Sequence, residues 1–269
     1  MSLNIDFIQN FYCTFDTPIP VALKSNETIT ITPVLLSNYF IFVSSYDILS
    51  IDKNSFPDPE VISMSYLKFL YYKVFSQFSQ EDAKRRLQQL LNICLLCLGM
   101  NNPMLLLEEN GSPFLCDYNI ESKTISSKIT AKEFEDIRRI ILYQNIKDYD
   151  DKYINPELKE AMEEQERLQS RNIAPISLER KMAIITAHTG IPKSEQIGMT
   201  IREHSCLFQE VCGEVVYSAV KGVSCFGGHG DEVEWLYPRK SNLFDKYATS
   251  VEEYNKAMGG SGYVPSVVV

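Results

Sequence analysis

The spacing of apolar residues changes several times along the chain, and each change marks an element. The first 32 residues alternate in a strand-like way: threonines separate Ile29 from Ile31, and Ser25-Asn26 supplies a turn before them. This predicts a small N-terminal β-hairpin with arms over about residues 7–15 and 21–31. Thr32-Pro33 reads as an N-cap followed by a proline at the first helical position, opening a helix over 34–49. Pro57-Asp58-Pro59 interrupts the chain. Beyond it Tyr66, Phe69, Leu70, Lys73 and Val74 fall at spacings of three and four, as on a helix over 61–78. Ser79 and Asp82 form a capping box for a third helix running to Met100.

Asn110-Gly111 between apolar runs is the strongest hairpin signal, with arms at 105–107 and 114–116 and the polar stretch 119–128 as a further strand or loop. Thr130-x-x-Glu133 caps a helix ending near Asn145, with Phe134, Ile137, Ile140 and Ile141 on one face. Asn155-Pro156 then opens a different kind of helix over 157–172, whose only large apolar residues are Leu158, Met162 and Leu168. So polar a helix has little to bury and reads as a linker. After Pro175 the pattern predicts a short helix over 177–188 ending at Gly190, another after Pro192, and a longer one from the Thr200-x-x-Glu203 capping box to about Val223. Glycines 227, 228 and 230 make a loop, Ser250-x-x-Glu253 caps a last helix, and Gly259-Gly260-Ser261-Gly262 opens a tail. The expected fold is therefore α+β and predominantly α-helical, with the N-terminal hairpin and a second short hairpin near residue 110. The expected division is an N-terminal α+β domain (1–150), a polar linker helix (151–174), a C-terminal helical domain (175–258) and a flexible tail (259–269).

Composition narrows the class. With 269 residues, 45% hydrophobic and 23% charged, the chain has the balance of an ordinary globular protein. A net charge of −9 repels phosphate backbones, and Lys84-Arg85-Arg86 and Arg138-Arg139 lie in helical segments where cations solvate the outer face. No nucleic-acid partner is expected. No apolar run reaches the length that spans a bilayer, and the opening MSLNIDFIQNFY lacks a secretory pattern. No membrane partner is expected either, and the seven cysteines, an odd number, read as reduced thiols of a cytoplasm.

The search for chemistry finds no catalytic motif. Cys94 and Cys97 stand at i and i+3 on an apolar helix with no second ligand pair, so they read as small hydrophobes rather than a metal knuckle. His204 and Cys206, two apart in a helix, point in different directions. The loop Phe226-Gly227-Gly228-His229-Gly230-Asp231 could offer His229 and Asp231 as acid and base, yet it matches neither a dinucleotide-binding loop nor a P-loop. The expectation is a non-enzymatic protein with no cofactor, no metal and no catalytic residues. The aromatic residues Tyr39, Phe40, Phe42, Tyr46, Tyr66, Phe69, Tyr71 and Tyr72 exceed what one small core usually consumes. Those left exposed are candidates for a partner-binding groove.

Three stretches carry a resemblance. They are residues 32–75 (TPVLLSNYFIFVSSYDILSIDKNSFPDPEVISMSYLKFLYYKVF), residues 129–161 (ITAKEFEDIRRIILYQN, then INPELKEA), and residues 177–211 (SLERKMAIITAHTGIPKSEQIGMTIREHSCLFQEV), with Met199-Thr200-Ile201-Arg202 the most characteristic piece. Together they resemble tail assembly chaperones of tailed bacteriophages that infect Gram-positive hosts. The resemblance implies a non-catalytic protein of the infected host's cytoplasm that binds a phage tail structural protein, the tape measure or a tube subunit, with homo-oligomers allowed. The stretch after about Val215, including FGGHGDEVEW, departs from the family pattern. Two alternatives stand beside it: a neck, tail or baseplate subunit retained in the virion, strapped on by the segment ending Val267-Val268-Val269, and an enzyme built on the His229 loop.

Overall fold

The computed structural model describes residues 4–53, 56, 58–77, 79–150, 153–154, 161–162, 164–165, 175–226 and 248–249. The fold is α+β and predominantly helical, with small antiparallel sheets. Two compact units divide it. One holds the described residues up to Asp150 together with Thr200–Arg202, and the other holds those within Asp151–Met199 and Glu203–Gly259.

The first unit opens with helix α1 (Ile5–Phe7), capped by Asn4, whose side chain accepts from the Phe7 N–H. The helix continues as a π-helical run, Ile8–Cys13. Residues 7–15, expected as a strand, are therefore not a hairpin arm. The hairpin lies wholly within the following stretch: β1 (Ile19–Ala22) pairs antiparallel with β2 (Thr28–Ile31), Ile19 facing Ile31 and Val21 facing Ile29. Asn26 takes a positive φ of 64° in the turn, a conformation asparagine tolerates better than most residues. Pro20, with no N–H to give, sits in a strand paired on one side only.

Thr32-Pro33 does not start a helix. The segment stays extended because distant partners take its polar groups: the Thr32 N–H donates to Cys97 O (2.8 Å) and the Val34 N–H to Asn145 Oδ1 (2.7 Å). Val34 O in turn accepts from the Ile201 N–H (2.9 Å), and Leu35 bridges Thr200. Helicity begins one turn later, with a 3₁₀ turn at Leu36–Asn38 leading into α2 (Tyr39–Ser45) and α3 (Asp47–Ser50). Asp58 caps α4 (Pro59–Ser63), with Pro59 in the first turn. The single helix expected over 61–78 is broken, since Met64 and Ser65 are extended. After the break come α5 (Tyr66–Phe69), a π-helical run Leu70–Val74 and α6 (Phe75–Gln77). The Ser79 hydroxyl accepts from the Asp82 N–H, as its capping box predicts, and opens α7 (Gln80–Leu98), which Gly99 closes at φ 62°.

A three-stranded sheet of order β3-β4-β5 follows, from β3 (Pro103–Leu107), β4 (Pro113–Asn119) and β5 (Thr124–Thr130). Its first turn is the Asn110-Gly111 turn, where Gly111 has φ 80° and Asn110 Oδ1 accepts from the Ser112 N–H. The polar stretch 119–128 supplies most of the third strand. Helix α8 (Glu133–Asn145) then buries Phe134, Ile137, Ile140 and Ile141, the face its periodicity marks. These residues, with Phe69, Leu70, Leu115 and Ile129, form the core of the unit.

In the second unit, α9 (Leu178–Thr189) starts at the Ser177 cap and ends at Gly190, φ 78°. After Pro192 comes α10 (Lys193–Gln196), and the long α11 (Ile201–Cys225) follows, its first two residues counting with the first unit. The buried Gln196 amide donates to Met182 O, Thr186 Oγ1 and Ile191 O, holding the turn after α9. A short pair, β6 (Tyr153–Ile154) with β7 (Ala248–Thr249), also belongs here. Of the expected linker helix, only Ala161, Met162, Glu164 and Gln165 are described, all four helical. The His229 loop, the helix expected after Ser250 and the C-terminal tail lie outside the described residues.

His204 on α11 is expected to make this unit acid-sensitive. Its ring is buried, and Nε2 has no hydrogen-bond partner among the described residues. Burial first, and the charge of Lys181 second, hold its pKa below the ordinary 6.5. The folded state therefore prefers the neutral ring. The stability this contributes is present above the unfolded value and is lost as pH falls from about 6.5 through the lower folded value. Hydrogen exchange of α9 and α11 is expected to quicken on acidification through that window, and a His204→Leu variant to lose the response. An unchanged acid response in the variant would assign it to other groups.

Candidate functional site

The eight aromatic candidates divide cleanly. Phe42, Tyr66 and Phe69 are buried and pack the core, so they offer no open groove. Tyr66 donates its hydroxyl to Ile48 O (2.9 Å) and lies under the Arg138 guanidinium, 4.1 Å from the ring centroid. Tyr46 is half-buried and stacks on Phe42 at 5.8 Å. Tyr71 is half-buried against Tyr72. Tyr72 is exposed, but its hydroxyl donates to Gly111 O, and a Cβ at Gly111 would come within 3.2 Å of the Tyr72 hydroxyl oxygen. Tyr72 thus closes over the β3–β4 turn. Tyr39 is half-buried, its ring 5.4 Å from that of Phe40.

Phe40 is left facing solvent, 73% exposed, and it is not isolated. Ile41 and Val43 on the same seven-residue helix are exposed, as is Leu35 just before it. The opposite side of α2 is held down: Phe42 and Ser45 are buried, Gln89 Nε2 donates to Ser44 O (2.6 Å) and Asn92 Nδ2 to Ser45 Oγ (3.3 Å). An outer helical face where polar residues are the rule instead carries a phenyl ring and two β-branched side chains. These exposed apolar side chains on one helix make it the candidate partner-binding surface.

A second apolar surface escaped the periodicity reading. Phe7, Phe11 and Phe15 are 37%, 52% and 67% exposed. The Phe7 and Phe11 rings stack at 5.5 Å with an interplanar angle of 5°, and Phe15 follows edge-on at 6.2 Å. The other side of the same segment faces inward, with Ile8 and Cys13 buried and the Cys13 thiol 3.6 Å from Tyr143 O. The four-residue spacing of the phenylalanines was the available signal.

The thiols and acids are placed as follows. None of the seven cysteines is joined in a disulfide. Cys94 and Cys97 are buried on α7, and burial pushes the Cys94 thiol up to about 12 and Cys97 upward as well, so neither supplies a thiolate near neutrality. His204 is buried whereas Cys206 is half-buried. Among the described residues no group of three or more His, Cys, Asp or Glu is placed to share a metal ion. Nor, among those residues, is any helix long and apolar enough to cross a membrane. Two ion pairs fix local structure: Lys73 holds the Asp58 carboxyl below its usual range, and Lys128 does the same for Glu108.

Comparison with protein-family models, with curated proteins and with solved structures finds no match to this chain.

Proposed function

We propose that the chain is a non-catalytic, protein-binding component of phage tail morphogenesis that holds the tape-measure protein before the tube closes around it. The observation carrying this reading is the outward face of α2, where Phe40, Ile41 and Val43 with Leu35 remain exposed while the helix is anchored from behind. A tape-measure protein is a long, apolar, helical chain, and a rigid apolar helix face on an acidic protein suits its temporary cover. The similarity of residues 32–75, 129–161 and 177–211 to tail assembly chaperones supports the same reading.

The test pairs two measurements. In infected-cell lysate the protein is expected to capture the tape-measure protein, and mass spectrometry of purified particles is expected not to find it. Phe40→Ser is expected to leave thermal stability within about 0.5 kcal/mol, as for other exposed positions, yet to weaken capture by about tenfold. Stoichiometric presence in the particle would overturn the chaperone reading and make the chain a structural subunit. Undiminished capture by Phe40→Ser would remove α2 from the interface.

A further inference from the structure

We infer that the chain pairs with a second copy of itself through the open edge of β3, joining two three-stranded sheets about a two-fold axis at Leu106. The inference does not rest on the tail-assembly reading, which is carried by α2.

The ladder to β4 sets which backbone groups of β3, an edge strand, point away from the sheet. The Tyr118 N–H donates to Asn102 O (3.0 Å) and the Glu108 N–H to Ser112 O (2.9 Å), one bond at each end of the β3–β4 register. Hydrogen-bonded pairs alternate along an antiparallel ladder, so between these two bonds Met104 and Leu106 are tied to β4. Pro103, Leu105 and Leu107 then turn their backbone groups outward. Pro103 has no N–H to offer. The N–H and C=O groups of Leu105 and Leu107 have no hydrogen-bond partner among the described residues.

The opposite edge of the same sheet is guarded. Glu133 Oε2 takes the Thr130 N–H at 2.8 Å, the register shifts at Asp117/Tyr118, and Lys128 places a charge in β5. Each of these discourages a further strand. Beyond Pro103, β3 has no such guard. No residue from Gly99 to Leu107 is charged, and Met104 and Leu107 are exposed.

An extended row of free amides and carbonyls is matched by another extended backbone, not by a helix, whose groups are used internally. A second β3 supplies the match in kind and in number. Laid antiparallel, with Leu105 opposite Leu107 of the second copy, the two free N–H groups of each strand meet the two free carbonyls of the other. The missing N–H of Pro103 falls outside these pairs. Charge favours the same arrangement. A net charge of −9 repels a second copy, and a contact made through uncharged residues opposes no carboxylate to another. Glu108, paired with Lys128 of its own sheet at 2.7 Å, stands opposite Met104 of the second copy. The antiparallel sense keeps the two Glu108 residues about 14 Å apart along the strands, beyond the screening length, whereas a parallel pair would set them side by side.

Sedimentation velocity of the full chain across a concentration series tests the pairing. An edge of five residues is at the small end of interfaces, so a monomer–dimer equilibrium is expected at about 1–100 μM. Leu107→Pro removes an outward N–H and leaves the β4 ladder intact, and is expected to weaken association at least about tenfold with circular dichroism unchanged. Leu107→Lys keeps the N–H, adds a charge at the edge and is expected to act likewise. The axis has its own test. Leu106→Cys in a Cys225→Ser background sets two thiols at a non-hydrogen-bonded pair with Cα atoms about 4.5 Å apart, within disulfide range. Diamide is expected to convert that variant to a covalent dimer and to leave Met104→Cys in the same background uncrosslinked. Phe40→Ser is expected to dimerise as the parent does, which separates this edge from α2. A chain that stays monomeric throughout the series, or a dimer that survives both Leu107 variants, would overturn the inference. So would a dimer that the Leu107 variants weaken but that crosslinks through position 104, or not at all, instead of through 106, because another strand or register would then occupy the edge.

Discussion

Tyr66→Ala is expected to cost about 3–5 kcal/mol, the range for removing a large aromatic side chain from a packed core. Three attachments go with the ring. The hydroxyl donates to Ile48 O at 2.9 Å and lies 3.3 Å from Ile51 O, tying α5 to the end of α3. The ring face carries the Arg138 guanidinium at 4.1 Å, tying α5 to α8. Its edge meets Phe69 at 5.7 Å. The backbone N–H, which survives the substitution, donates to Glu135 Oε2 at 2.7 Å. Burial raises the phenol above its ordinary 10, so it remains a donor at any pH the protein meets. Tyr66→Phe keeps the ring and loses only the donor, for about 1–2 kcal/mol from carbonyls left partly unpaired. Domains of ordinary stability hold some 5–15 kcal/mol, so the alanine variant gives up a large share. Urea midpoints of the three proteins measure the series. A Tyr66→Ala cost under about 1 kcal/mol would mean that the ring is not part of a packed core.

Tyr66 and Phe40 belong to the same aromatic run of the sequence, and the contrast between them shows what a sequence makes legible. Both fall at helical spacings among other aromatics, so composition and period rank them alike. Burial separates them, and burial depends on which helices pack over which, information carried by contacts such as Arg138 with Tyr66 across some seventy positions. Signals confined to one turn were legible: Ser79 with Asp82, Gly190 at a helix end, and the Asn110-Gly111 turn. Signals answered by distant residues were not. Thr32-Pro33 has the chemistry of a helix start, but Cys97 binds the Thr32 backbone, Asn145 and Ile201 bind that of Val34, and these tertiary bonds override local propensity. The phenylalanines at 7, 11 and 15 mislead for a different reason. A spacing of four is twice the strand period and nearly one helical turn, so it fits one face of either element. Only Ile8 and Cys13, pointing the other way, decide between them.

Glu133→Ala is the second large effect expected, about 2–4 kcal/mol, because one side chain does two jobs. As the last member of the Thr130-x-x-Glu133 capping box, its Oε2 accepts from the Thr130 N–H at 2.8 Å, and Thr130 Oγ1 accepts in return from the Glu133 N–H at 3.4 Å. A carboxylate there also meets the positive end of the α8 dipole. This half was readable from four consecutive residues. The other half was not: Oε1 accepts from the Lys24 N–H at 2.6 Å, across 109 positions, and so pins the turn of the N-terminal hairpin to the start of α8. Alanine leaves both N–H groups without this acceptor in a site where Glu133 itself is buried. Thr130→Ala removes only the reciprocal cap and is expected to cost about 1 kcal/mol. The two costs share one hydrogen-bonded pair, so the double variant should fall short of their sum by at least about 0.5 kcal/mol. Hydrogen exchange localises the loss. Glu133→Ala should expose amides of both α8's first turn and residues 23–26, whereas Thr130→Ala should expose α8 alone. If Glu133→Ala left 23–26 as protected as before, the Lys24 bond would carry no stability, and the hairpin would be held by the packing of Ile19 and Ile31 instead.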